Sequence, residues 1–138
     1  MPLARLDAVP TWLLSRSSAR AHRLLSDAFA AAGTRGYHYR LLAALEELGP
    51  SSQAALGRSA ELDRSDVVAT LDELEADALV ERSPDPDDGR RKIVTMTAAG
   101  KRRLLKLDDV VAGVQEELLA PLSTEERAEL IRLLAAVV

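Results

Sequence analysis

Residues 79–97 read LVERSPDPDDGRRKIVTMT, and this stretch decides the fold. Leu79-Val80 with Glu81-Arg82, and Ile93-Val94-Thr95-Met96, are short runs rich in strand formers. Between them stand two prolines, the turn formers Asp85, Asp87, Asp88 and Gly89, and then Arg90-Arg91-Lys92. The pattern is a β-hairpin with a charged tip. A lone hairpin is marginal in water, so it must lean on neighbouring helices. Two short helical segments precede it, and the combination predicts a winged helix-turn-helix.

Working outward, Trp12 to Ala32 spaces Leu14, Ala21, Leu24, Leu25, Ala28 and Phe29 for one helical face, and Gly33 ends it. Tyr39 to Leu48 forms a second helix with Leu41, Leu42, Leu45 and Leu48 apolar, stopped by Gly49-Pro50. Ser51 or Ser52 caps a short helix from Gln53 to Ser59. Asp63 caps the next, where Val67, Leu71, Leu74 and Ala78 share a face. After the hairpin, Thr97 caps a long helix carrying Leu104, Leu107, Val111, Val114 and Leu118. Ser123 and Glu126 predict a capping box for a last helix with Leu130, Ile131, Leu134 and Val137 on one face. The expected fold is mainly α with a small β-hairpin wing, in the order α-α-α-α-β-β-α-α.

Composition narrows the function. At 138 residues the chain makes one domain, and 47% apolar with 29% charged residues describes a globular protein. No apolar run approaches the roughly 20 residues of a membrane span. The N-terminus has no sustained apolar stretch before its acid and proline, so a secretory signal is not expected. The absence of cysteine fits a cytoplasmic protein and excludes disulfides and thiolate metal sites. Net charge is −4, yet residues 82–106 hold eight basic and three acidic side chains, a basic segment on an acidic body. A duplex-binding face and a solvated helix face both fit that distribution.

Three blocks carry a specific resemblance: YRLLAALEELGPSSQAAL (39–56), LDRSDVVATLDELEADALVER (62–82) and DPDDGRRKIVTMTAAGKRRL (85–104). The last holds Asp88-Gly89-Arg90 and Met96-Thr97-Ala98-Ala99-Gly100, matching an Asp-x-Arg wing and a strand ending in Leu/Met-Thr-x-x-Gly. In this order the chain resembles the MarR family of transcriptional regulators over nearly its whole length. The resemblance implies one MarR-like domain over 1–138. Residues 8–36 and 98–138 would supply the dimerisation helices, and 37–97 the winged helix-turn-helix with its wing at 79–97. It implies a homodimer on double-stranded DNA.

Physical reasons stand beside it. The second helix of such a pair enters the major groove, whose base edges distinguish all four pairs. Its early positions are Arg64, Ser65, Asp66, Val68 and Ala69. Ser51, Ser52 and Gln53 open the preceding helix, where free N–H groups suit a phosphate. A wing arginine in the minor groove would read its width, and Arg90 is the expected one, braced by Asp88; Arg91 and Lys92 would meet phosphates. One departure stands out. From Asp63 to Ala78 there is one basic residue, Arg64, against six acids. Acids at 72, 73 and 75 are expected to pair with basic residues of the long helix.

The resemblance also implies a small aromatic or anionic effector, held in a crevice beside the DNA-binding lobe. Trp12, His38 and Tyr39 are the candidate ligand residues; for Trp12 and Tyr39, packing is the competing reading. His22 and His38 have no metal-ligand spacing, and no Ser-His-Asp order or Gly-rich phosphate loop appears, so no metal, cofactor or enzymatic activity is expected. The expected function is a ligand-responsive repressor bound to a pseudopalindromic operator. The alternative, kept alive by the acidic helix, is a winged-helix dimer that serves as a protein-interaction module.

Overall fold

A computed structural model describes all of residues 1–138. Its elements are α1 (Ala4–Asp7), α2 (Pro10–Ala31), α3 (Gly36–Leu48), β1 (Ser51–Ser52), α4 (Gln53–Ala60), α5 (Arg64–Ala76), β2 (Val80–Pro84), β3 (Lys92–Met96), α6 (Ala98–Leu118) and α7 (Thr124–Val137). The expected mainly helical succession holds, with two additions. One is the single turn α1. The other is β1, which turns the hairpin into a three-stranded antiparallel sheet ordered β1-β3-β2. Ser51 and Ser52 become a strand only by pairing with Val94 and Ile93. No alternation of apolar residues announces it.

The chain forms two compact units, residues 29–109 and residues 1–28 with 110–138. The first has a full core. Leu41, Leu42 and Leu45 of α3, Leu56 of α4, and Val67, Leu71 and Leu74 of α5 are buried with Val80 and Val94 of the wing and Leu104 and Leu107 of α6. Each such side chain contributes about 1.5–3 kcal/mol on leaving water. Phe29 joins them, its ring 5.8 Å from that of Tyr39. Ala78, expected on the α5 face, lies beyond the helix end; it is exposed and takes positive φ, closing the turn into β2.

Caps set the boundaries. Ser52 accepts from the Ala55 N–H at 3.2 Å, Asp63 from the Asp66 N–H at 2.8 Å, and Ser123 with Glu126 forms the expected capping box. Thr97 does more than cap. Its hydroxyl accepts from the Gly100 N–H at 3.0 Å and donates to the Ala78 carbonyl at 2.8 Å, tying α6 to the α5–β2 turn. Gly57 lets α4 and α5 approach closely, since a Cβ there would meet Val67 Cγ2 at 3.1 Å and the Leu62 carbonyl at 3.2 Å.

The second unit contrasts sharply. Of its residues only Val114 is a buried hydrophobic, while Trp12, Leu13, Leu14, Leu133 and Leu134 are exposed and Ile131 and Val137 retain 65% and 71% of their surface. No helix of the protein is long and apolar enough to cross a membrane.

Candidate nucleic-acid interface

The opening of α4, the opening of α5 and the wing converge on one groove of about 530 Å³. It is lined by Ser52, Gln53, Ala54, Gly57, Arg58, Leu62, Arg64, Val67, Arg90, Arg91 and Lys92. Five of these residues are basic and none is acidic. An acidic chain therefore presents a concentrated positive surface at one place, which is the electrostatic requirement for gripping a polyanion.

Of the expected interface residues, Ser52, Gln53, Arg64, Arg90, Arg91 and Lys92 line the groove. Ser51 is withdrawn into the sheet opposite Val94. On the α5 surface next to Arg64, Ser65 and Ala69 are exposed, and Asp66 and Val68 are partly so. The Ser65 hydroxyl donates to Asp63 Oδ1 at 2.8 Å. Arg58 joins the groove without having been expected, because its alignment with Arg64 and the wing depends on how α4 packs, not on any local motif.

The wing tip braces itself. Asp85, only 8% exposed, accepts from the Asp87 N–H at 2.9 Å and from the Arg91 guanidinium at 2.9 Å. Asp88 receives Arg90 through the backbone N–H and Nε. That side-chain bond, followed by the backbone N–H, holds the Asp88 carboxyl below the usual carboxylate range. The acids Asp85 and Asp88 thus serve turn geometry, with Arg90 left 92% exposed at its side chain.

The acids of α5 do not pair with the long helix α6, contrary to expectation. Asp72 and Glu75 bind Arg82 of β2, at 2.6 and 3.0 Å. Glu73 binds Arg35 at the start of α3 and, at 2.6 Å, Nε2 of His38. The His38 bond, then Arg35, lowers the Glu73 pKa. The basic residues that meet these acids come from strand β2 and the opening of α3, distant in sequence but adjacent once the core closes.

Of the ligand candidates, His38 is 8% exposed and has both ring nitrogens engaged, Nδ1 with the Thr34 hydroxyl at 2.9 Å and Nε2 with Glu73. Tyr39 donates its hydroxyl to Asp108 at 2.8 Å. Both belong to the unit spanning 29–109, whereas Trp12 belongs to the other. There Trp12 and Arg16, with Asp7 and residues 1–3, line a hollow of about 310 Å³.

A capped helix pair backed by a three-stranded wing, with the basic groove where they meet, defines the winged helix-turn-helix class. Residues 33–91 match the model of the MarR family. A crystal structure of a probable transcriptional regulator from Pseudomonas aeruginosa is similar over 96% of this chain and 99% of its own, with 32% identity and a TM-score of 0.84. PcaV of Streptomyces coelicolor, solved with its natural ligand, is 30% identical over 99% of this chain and 96% of its own, with a TM-score of 0.81. The transcriptional repressor NicR of Pseudomonas putida is 34% identical over 93 residues, 67% of this chain and 59% of NicR. The chain belongs to the MarR family. Against the curated relatives it matches, the shared stretch spans between 50% and 62% of their length.

Proposed function

We propose that this protein is a homodimeric, ligand-responsive transcriptional repressor that binds a pseudopalindromic operator in double-stranded DNA. The observation that carries the reading is the groove: five basic side chains and no acid, drawn from the last turn of α4, the opening of α5 and the wing. The opening of α5 would present Arg64, Ser65, Asp66, Val68 and Ala69 to base edges, and Arg90, exposed beside Asp88, would enter the minor groove. Ser52 and Gln53, with Arg58, Arg91 and Lys92, supply phosphate contacts that fix register.

Dimerisation is supported by the poorly buried unit. Exposed apolar residues along α2 and α7, in a unit whose one buried hydrophobic residue is Val114, need a second surface to cover them. A two-fold axis then places two α5 helices on half-sites about one helical turn apart. Repression and ligand response are supported by NicR, a repressor, and by PcaV with its natural ligand. Trp12 and Arg16 line one hollow in which Asp7 stands 3.7 Å from the guanidinium, and a small aromatic anion would stack on the indole and take over that carboxylate's place. The reading assigns the protein to the cytoplasm, with no enzymatic role. The protein-interaction alternative loses its support, because Asp72, Glu73 and Glu75 are engaged within the lobe.

The test is fluorescence anisotropy against a pool of genomic duplexes at two salt concentrations. Selective binding to a pseudopalindrome, weakening steeply with salt, is the expected outcome. A verified dimer that selects no duplex at low salt overturns the reading.

A further inference from the structure

Arg82 is the one residue that joins the wing to the recognition helix by side-chain charge. It sits on β2 opposite Val94, which is itself opposite Ser51, so a single rung crosses all three strands at its level. Its Nη2 lies 2.6 Å from Asp72 and 3.0 Å from Glu75 of α5. Its backbone N–H donates to the other oxygen of Glu75 at 3.1 Å. Its Nη1 stands 3.5 Å from Oε1 of Gln53, the first residue of α4. The side chain keeps only 18% of its surface and does not line the basic groove.

We propose that Arg82 is a positioning residue for DNA binding, whose clasp of Asp72 and Glu75 sets the wing arginines against the recognition helix. The role rests on the DNA-binding reading above. A two-residue grip on α5 and the backbone bond hold strand and helix at one angle. The groove, whose basic residues come from both sides of that angle, thereby keeps its width. The clasp also accounts for Asp72 and Glu75 in the acidic second half of α5. Those carboxylates are anchors for the wing, and the guanidinium offsets charge that would otherwise repel phosphate. Arg suits the task better than Lys, because one nitrogen, Nη2, meets both carboxylates while Nη1 of the same rigid plane is held toward Gln53.

The experiment compares wild type, Arg82→Gln, Arg82→Lys and the double variant Asp72→Ala with Glu75→Ala, all as full-length protein. Hydrogen exchange of the free protein and anisotropy on the selected duplex across a salt series are the two readouts. Arg82→Gln should exchange faster in the wing strands while α3 stays protected, which separates loss of the clasp from unfolding. Its affinity should fall by roughly tenfold with an unchanged salt slope, since no phosphate contact is lost. Arg82→Lys should recover part of that loss. The double variant should also bind more weakly, although it removes two negative charges.

Tighter binding by the double variant overturns the proposal, because the acids would then be mere repulsion. A salt slope reduced by about one in Arg82→Gln overturns it too, by making Arg82 a phosphate ligand. Equal binding by wild type and Arg82→Gln overturns this role alone. A wild type that selects no duplex overturns the functional reading and the role with it.

Discussion

Asp88 tethers Arg90 at its base: Oδ1 accepts the Arg90 backbone N–H and the Arg90 Nε–H, each at 3.1 Å. Nη2 lies 3.5 Å from Oδ2 of the same carboxylate, and the side chain as a whole stays 92% exposed. Tethering a long side chain at its root lowers the entropy lost when its tip binds. Arg90→Ala should weaken DNA binding by about 1–3 kcal/mol and leave the dimer intact. Asp88→Asn, which keeps an acceptor for the backbone N–H, should cost less. Anisotropy at fixed salt measures both, and an unchanged Arg90→Ala affinity would remove the wing from the interface.

Trp12 is 39% exposed and lines its hollow with Asp7 and Arg16. On the proposed function, Trp12→Ala should blunt the release of DNA by effector and spare DNA affinity itself. A panel of aromatic carboxylates titrated into the preformed protein–DNA complex provides the readout. A response equal to wild type would return Trp12 to a packing role.

Gly100 has no room for a side chain. An added Cβ would collide with the Leu79 carbonyl oxygen and sit 2.8 Å from Met96 Cγ. This contact is the physical content of the Thr-x-x-Gly pattern, in which Thr97 caps α6 while Gly100 lets the helix abut the turn before β2. Gly100→Ala should destabilise the protein by about 1–3 kcal/mol in urea unfolding. A midpoint matching wild type would show that the turn yields freely.

Thr70 lies on the buried face of α5, 1% exposed, and its hydroxyl has no hydrogen-bond partner. Thr70→Val keeps the branched shape and removes the unpaired hydroxyl, so stability should rise by about 1 kcal/mol. A lower unfolding midpoint would mean that the hydroxyl finds a partner in solution.

Tyr39 provides a pH signature. Burial first, then the bond to Asp108 and the charge of that carboxylate, push its pKa up to about 12 from 10.0. A raised pKa favours the protonated form in the fold, so its contribution to stability is complete below about pH 10. That contribution is lost as pH climbs from there towards 12. Phenolate absorbance should show a late titration step that disappears in Tyr39→Phe and moves to lower pH in Asp108→Asn. A late step that survives in Tyr39→Phe would belong to another group.

The helix caps, the hairpin, the wing turn and most of the buried leucines were legible in the sequence, because each rests on signals a few residues apart. Leu48, read on the apolar face of α3, is instead 50% exposed, and Leu56 of the short α4 is fully buried. Ser123 and Glu126 meet within one helical turn, and Asp88 and Arg90 within one turn of chain. What the sequence could not show was pairing across the fold. Ser51 and Ser52 are a strand only because Val94 and Ile93 arrive beside them. Arg58 reaches the groove only through the packing of α4. The acids of α5 read locally as a surplus of negative charge, and the tertiary structure alone decided that Arg82, Arg35 and His38 receive them. Local chemistry sets which backbone shape is cheapest. Which charges meet is decided afterwards, by the burial of the core that brings distant elements together.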